Sequence, residues 1–331
     1  MSFEIYGTLG PSCCTQEIIE DLLKSGMTGM RLNLSHCNLD DRKAWIEAFH
    51  QACAQTQINA DFMIDMQGPE LRTLNTQPIY FQPGDQVVFN TTVVPFLIVQ
   101  HAQKNDFLLM DDGKIQFQIN AVYENELHCV VCYGQQLNPR KSIMLQGKQI
   151  SGPLFTENDL KNLKNAEQFG VTAIMQPFVS GKGDLISIKN TLESLNLGHL
   201  KIYAKIENMM GVSHASEMMH CCDCIVIARG DLGNACGLVQ LPHIQKEIEQ
   251  LCHHHQQKYM VVTEMLNSMI HQPFPTRAEV SDIYHAVYHG AQAIMLTGET
   301  ANGKYPVQAM KIFAQVAQTA LNDKTKEKSN D

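Results

Sequence analysis

Eight short apolar runs alternate with helix-like stretches along the 331-residue chain, and one long interruption follows the third run. The runs lie at residues 4–8, 29–36, 61–66, 171–178, 201–206, 224–228, 259–263 and 292–296. Helical periodicity fills the intervals at 15–25, 40–55, 156–169, 184–195, 211–219, 242–256, 276–289 and 306–321. In the first of these, Ile18, Ile19, Leu22 and Leu23 share one face. Strands separated by helices run parallel, and helices then cover the outer face of the sheet. Residues 70–147 break this rhythm. Pro78, Pro83-Gly84-Asp85 and Asp111-Asp112-Gly113 punctuate apolar runs at 87–89, 96–99 and 127–132, and no convincing helix pattern lies among them. Removing these 78 residues from 331 leaves 253, close to the roughly 250 of a (β/α)8 barrel. The expected architecture is α/β, a (β/α)8 TIM barrel with a small all-β lid domain inserted after strand three. Its parts are the first barrel segment 1–69, the insertion 70–147, the second barrel segment 148–321 and a polar tail, 322–331, expected to be disordered.

Barrels of this kind build their sites at the C-terminal strand ends, so the residues found there carry the functional reading. Strand two ends in Arg31, Asn33 and Ser35, alternating against Met30, Leu32 and Leu34, with His36 beyond; strand three ends in Asp65. Strand five ends in Lys205 and Glu207, two residues apart and therefore on the same side of a strand. Strands six to eight end in Arg229 and Asp231, Thr263 and Glu264, and Thr297 and Glu299. An ammonium beside two carboxylates that can share a divalent cation is what chemistry on an anionic phosphate ester requires. Glu207 and Asp231 suit a hard cation such as Mg²⁺, while Arg31, Arg72 and Lys205 suit phosphoryl oxygens. The Gly-rich turn 230–233 lets backbone N–H groups approach a carboxylate at a helix start. Charges at strand ends can also be plain surface ion pairs, and only some are catalytic.

The net charge of −9 and pI near 5.8 argue against a nucleic-acid or polyanionic membrane partner. An anionic substrate remains compatible, because local Arg, Lys and metal charges set the field in a cleft. The N-terminus lacks a basic stretch followed by an apolar core, and no window reaches transmembrane length, so a soluble, unprocessed, cytoplasmic protein is expected. Eleven cysteines include Cys13-Cys14 and Cys221-Cys222-x-Cys224, too bunched for zinc spacing, and reduced thiols are expected. The run His253-His254-His255 closes a helix pattern and is expected to be a solvated helix end.

Taken together, the motifs at these positions resemble one family. Thr8-Leu-Gly-Pro-Ser, Arg31-Leu-Asn-Leu-Ser-His, Asp65-Met-Gln-Gly-Pro-Glu-Leu-Arg, Asp111-Asp-Gly, Lys205-Ile-Glu-Asn, Ala228-Arg-Gly-Asp-Leu-Gly, Pro275-Thr-Arg-Ala-Glu and Met295-Leu-Thr-Gly-Glu-Thr-Ala are similar to those of pyruvate kinases, in family order over residues 4 to about 310. The resemblance implies transfer of a phosphoryl group from phosphoenolpyruvate to ADP. It assigns Mg²⁺ (or Mn²⁺) to Glu207 and Asp231, charge neutralisation on the phosphoryl group and enolate to Lys205, and phosphoryl binding to Arg31. Thr263 would stand near the enolate carbon at protonation, and Gly230 with Asp231 would offer amides to the substrate carboxylate. Asn33, Ser35, Asp65 and the Met66 carbonyl would hold K⁺, and Pro11, Asn33, His36, Arg72 and Lys141 would face the nucleotide. The inserted β domain would close over ADP and expel water.

The chain departs from the family at several points. Gln67 stands for a usual Lys, Met66 for Thr, Glu264 for Gln, Pro177 for Ser, Met144 for Asn, and Asn234-Ala235 for Val-Glu. Two alternatives therefore stay open: a catalytically weakened paralogue, and a metal-dependent lyase or aldolase of the related phosphoenolpyruvate-using barrels. Neither an N-terminal arm nor the family's C-terminal domain is expected in this sequence. A homodimer through the barrel face, with no response to fructose 1,6-bisphosphate, follows from that expectation.

Overall fold

The structure, a computed structural model, describes residues 3–328 other than 112, 149 and 151. Eight parallel strands close into a ring: β1 (Glu4–Thr8), β2 (Gly29–Asn33), β3 (Asp61–Asp65), β4 (Ala173–Gln176), β5 (Lys201–Ile206), β6 (Cys224–Ala228), β7 (Tyr259–Val262) and β8 (Ala293–Met295). Each pairs with its neighbour in sequence, and β1 pairs with β8 through Glu4↔Ala293 to Tyr6↔Met295. The (β/α)8 barrel read from the sequence is the observed fold.

Alternation along each strand sorts its side chains between two cores. Tyr6, Met63, Met175, Tyr203, Val226, Met260 and Met295 fill the barrel interior. Their neighbours, such as Ile64, Ile202, Ile225 and Val261, pack outward under the helices. The same period carries Lys201, Tyr203 and Lys205 to one side of β5, so a charge lies at each end of the barrel axis. At the N-terminal end the charges are consumed. Tyr6 and Tyr203 stand 3.0 Å apart and donate to Asp61 (3.1 Å) and Glu4 (2.9 Å), while Lys201 pairs with Asp61 at 2.8 Å and Lys258 with Glu4 at 2.5 Å. Burial pushes both phenols up, so they remain hydrogen-bond donors. Gly29 makes room for this plug, since a Cβ there would come 2.2 Å from the Tyr6 ring. The barrel is thus stoppered at its floor, and its rim is where polar chemistry can meet solvent.

The insertion forms a five-stranded antiparallel sheet in the order 143–145, 107–110, 115–123, 126–133, 86–90. It has its own core, in which Phe117 meets Phe81 and Phe89 edge-on at centroid distances of 5.1 and 4.9 Å. One expectation fails here: the apolar run at 96–99, read as part of a helix-free unit, is a helix, Phe96–His101. A short apolar run does not distinguish helix from strand by period. Pro95 opens this one, and its Ile98 and Val99 face the inserted core.

Asp159 ties the insertion to the barrel. It is buried and accepts hydrogen bonds from the amides of Gln67 (2.8 Å) and Gly68 (2.9 Å), where the chain leaves β3. It also accepts from the amide (2.9 Å) and hydroxyl (2.8 Å) of Thr156, where the chain returns. Thr156 caps the helix Glu157–Asn165 in a capping box with Asp159, so one carboxylate serves helix start and hinge together.

Three helix expectations change. Residues 211–219 are two short helices, Met209–Ser213 and Ala215–Met218, with His214 between them. The Gly-rich stretch 230–233 lies inside a helix, Arg229–Cys236, rather than a turn. The last helix, Pro306–Lys328, continues well past 321, so the tail expected to be disordered from 322 is helical to 328. Tyr284 donates to Asp323 at 3.1 Å and Tyr288 to Glu327, fixing that extension against the helix Arg277–Tyr288. Residues 329–331 lie outside the described residues. Among the described residues no helix is long and apolar enough to cross a membrane.

Candidate active site at the barrel rim

The C-terminal strand ends open into a cavity of about 1760 Å³, roofed on one side by the insertion through Arg72, Lys114, Gln116, Tyr133 and Gln146. Asp65, at the end of β3 and 1% exposed, is its hub. Arg31 reaches one Asp65 oxygen, Oδ2, with both Nε (2.8 Å) and Nη2 (2.5 Å), and its Nη1 donates to Thr8 Oγ1 at 3.2 Å. Lys205 Nζ lies 3.3 Å from Asp65 Oδ1 and 3.1 Å from Glu207 Oε1. The two-residue spacing of Lys205 and Glu207 does put them side by side. Glu207 is itself 2% exposed, and its Oε2 accepts the amide of Phe178 at 2.9 Å. Phe178 has φ +53°, an unusual backbone for a bulky residue, and that conformation accompanies an amide turned towards Glu207.

Electrostatics follow from these contacts. Burial alone would lower Lys205, but Asp65 and Glu207 outweigh it and hold the ammonium charged well above the ordinary lysine value. Burial pushes Glu207 up, opposed by Lys205. Glu70 is likewise pushed up by burial and opposed by Arg72, which pairs with it at 2.7 Å and also donates to the Arg140 carbonyl at 3.0 Å.

Around this centre stand Asn33, Ser35, Met66, Gly230, Asp231, Thr263 and, further out, Pro11 and Arg72, all lining the cavity. Gly230 and Asp231 occupy the first turn of the helix Arg229–Cys236, the end of a helix at which an anion is favoured. Thr263, just past β7, has φ +78° and Glu264 φ +56°. Two successive non-glycine residues in that region store strain, ~1–3 kcal/mol each, and such strain clusters at working sites. Lys141 does not line the cavity and is engaged by Asp111 at 2.8 Å. The His36 side chain and Asp112 lie outside the described residues. Ser35 sits in a 3-10 turn, 34–36, rather than in the strand, and the Asn33 side chain caps that turn by accepting the Ser35 amide at 3.0 Å.

The donor sets can be tested against the cations the motifs imply. Asp65 Oδ1 is buried, accepts no hydrogen bond and faces the Lys205 ammonium at 3.3 Å as an ion pair. Asn33, Ser35 and Met66 line the same cavity as Asp65 and carry oxygens of the kind that K⁺ takes. Glu207 and Asp231 both line the cavity, and carboxylates are what Mg²⁺ takes alongside substrate and water oxygens; both Glu207 oxygens are engaged, by Lys205 and by the Phe178 amide. The cysteines are all free thiols; burial pushes Cys13, Cys129, Cys222 and Cys252 up to about 12, which keeps them unreactive.

Two residues hold the loops in ways that sequence reading did not give: Asp159, which it did not single out, and Glu299, which it placed at the rim. Asp159 was legible as the fourth member of Thr156-x-x-Asp159, a capping-box spacing, but its grip on Gln67 and Gly68 was not. Glu299, counted among the rim carboxylates, is 1% exposed and accepts the amides of Leu266 (2.9 Å) and Thr297 (2.7 Å), so it braces the loops after β7 and β8.

A closed barrel with a roofed rim cavity holding a caged ammonium, buried carboxylates and a helix start is the frame of a (β/α)8 enzyme. The family model described as pyruvate kinase, barrel domain, matches residues 2–310. A pyruvate kinase of Aeropyrum pernix is 34% identical over 322 residues, covering 96% of this chain and 70% of the relative. One from Chlamydia trachomatis serovar L2 is 33% identical over 327 residues, 95% and 67% respectively. One from Staphylococcus saprophyticus is 31% identical over 346 residues, 98% of this chain and 59% of the relative. The chain belongs to the pyruvate kinase family.

Proposed function

We propose that the rim cavity transfers the phosphoryl group of phosphoenolpyruvate to ADP, giving pyruvate and ATP. The observation that carries this reading is the Lys205 ammonium held between Asp65 and Glu207 within a cavity that Arg31 and Asp231 also line. A fixed, desolvated cation there stabilises charge on the phosphoryl group in flight and on the enolate left behind. Arg31, locked by Asp65, offers its remaining donor capacity to phosphoryl oxygens. Gly230 and Asp231 amides bind the substrate carboxylate, and Thr263 stands at the enolate carbon for protonation. A divalent cation on Glu207 and Asp231 would neutralise and orient substrate oxygens, and K⁺ would occupy the oxygens of Asn33, Ser35, Asp65 and Met66. Pro11, Asn33, His36 and Arg72 would face the nucleotide, with the insertion as a lid that excludes water, and Lys141, paired with Asp111 away from the cavity lining, would join them only by leaving that pair.

The lyase reading needs no second substrate over the cavity, and the insertion residues lining that cavity favour the kinase. The test is a coupled assay with phosphoenolpyruvate, ADP, Mg²⁺ and K⁺. ATP formation should require the divalent cation and rise severalfold or more when K⁺ replaces Na⁺. No turnover under these conditions would exclude the reading, and equal rates in both salts would exclude the K⁺ site.

A cytoplasmic homodimer through the barrel face belongs to the same proposal. Leu238, Val239 and Phe274 are 78%, 89% and 68% exposed, large apolar side chains of the kind that isologous pairing would cover. Light scattering should give the mass of two chains. A tetrameric or monomeric mass would rule this interface out.

A further inference from the structure

We infer that Arg229 is a positioning residue, which holds the strained backbone of Thr263 in place, and not an anion binder of the cavity. Arg229 stands two residues before the rim carboxylate Asp231 in sequence, and its charge invites reading it as part of the phosphate-binding set. Its guanidinium is committed elsewhere. Nη1 pairs with Asp282 Oδ2 at 2.6 Å, Nε and Nη2 both donate to the Thr263 carbonyl at 3.2 and 2.7 Å, and Nη2 also meets Met265 Sδ at 2.9 Å. The planar fork thus ties the end of β6 to the loop after β7 and to the helix Arg277–Tyr288.

The loop it grips is the one that needs gripping. Thr263 and Glu264 both have positive φ, and a β-branched residue keeps such a backbone only where its surroundings over-determine it. Arg229 fixes the Thr263 carbonyl. Gly230, the next residue, leaves room for the Thr263 methyl, since a Cβ there would lie 3.2 Å from Thr263 Cγ2. Glu299 holds the Leu266 amide at 2.9 Å on the far side of the turn. A seat is made of a clamp, a gap and a brace, and the Thr263 side chain faces the cavity from it.

The inference rests on the reading of Thr263 as the group beside the enolate carbon, and the experiment separates the two. The full chain and its Arg229→Gln, Arg229→Lys, Asp282→Asn and Thr263→Ala variants are compared in kcat and in KM for phosphoenolpyruvate. Exchange of the pyruvate methyl protons with D2O, followed by NMR with Mg²⁺, K⁺ and ATP present, reports the proton step alone. Arg229→Gln should lower kcat and methyl exchange by roughly tenfold or more, with KM changed less than about twofold. Arg229→Lys, which keeps a charge but not the fork, should recover part of the loss. Asp282→Asn, at a side chain 38% exposed and so tolerant of change, should shift both quantities in the same direction by a few fold. A rise in KM with kcat intact would make Arg229 an anion binder and overturn the inference, as would exchange and kcat both within about twofold of the parent. Should Thr263→Ala leave exchange intact, the reading of Thr263 fails. The clamp is then judged by amide hydrogen exchange at residues 264–266, faster in Arg229→Gln if Arg229 holds the loop and unchanged if it does not.

Discussion

Lys205→Met is expected to lower kcat by roughly 10²- to 10³-fold or more while leaving KM for phosphoenolpyruvate nearly unchanged, the signature of an interaction made mainly in the transition state. Methionine matches the length of lysine and removes only the ammonium. That ammonium is the cation within 3.1 and 3.3 Å of Glu207 and Asp65, and both carboxylates are about 2% exposed or less. In so dry a place its field acts on developing negative charge with little screening, and it is already aimed, so no reorganisation accompanies the reaction. Removing it also leaves Glu207 facing the cavity without its lysine partner, which costs stability of the order found for breaking a buried pair, ~3–5 kcal/mol, unless a proton or metal ion takes up the charge. Circular dichroism and thermal unfolding alongside the coupled assay separate the two effects. Turnover near that of the parent in a folded Lys205→Met variant would remove Lys205 from the chemistry.

The barrel was legible in the chain because its signal is repetitive. Eight strand-length runs with helices between them leave few arrangements, and handedness and parallel pairing follow from the connections. Lys205 and Glu207 were legible for the same reason: a period of two fixes which residues share a side, and the structure places them 3.1 Å apart. What stayed hidden depended on contacts distant in sequence. Asp159 reaches Gln67 and Gly68 across the whole insertion, and a capping box predicts only its local half. Arg72 looked like a free phosphate ligand, yet Glu70 and the Arg140 carbonyl hold it. The helix Phe96–His101 was hidden by length, since four apolar residues in a row satisfy either period. The helical extension to Lys328 was hidden by polarity, because Tyr284 and Tyr288 anchor it by hydrogen bonds to Asp323 and Glu327, which no hydrophobic pattern records. Glu299 shows the converse: a rim carboxylate by position became a brace because two amides turn towards it.

Glu207→Ala and Asp231→Ala are each expected to lower the rate at saturating Mg²⁺ by roughly a hundredfold or more, through loss of a cation ligand and of the substrate geometry it fixes. The two should differ in detail. Glu207 is buried against Lys205 and takes the Phe178 amide, so its loss also leaves the ammonium paired with Asp65 and unties the loop after β4. Asp231 lies in the first turn of the helix Arg229–Cys236, where alanine is a good helix former, so its loss should act mainly through the cation. Asp231→Ala should therefore keep the unfolding midpoint of the parent within a few degrees, whereas Glu207→Ala should shift it. Mn²⁺ titration by electron paramagnetic resonance supplies a readout independent of turnover: affinity should fall at least roughly tenfold in both variants. If Mn²⁺ binds both variants as tightly as the parent, the cation is held elsewhere. The two carboxylates would then act on substrate through charge alone, and the rate loss should be correspondingly insensitive to which divalent cation is supplied.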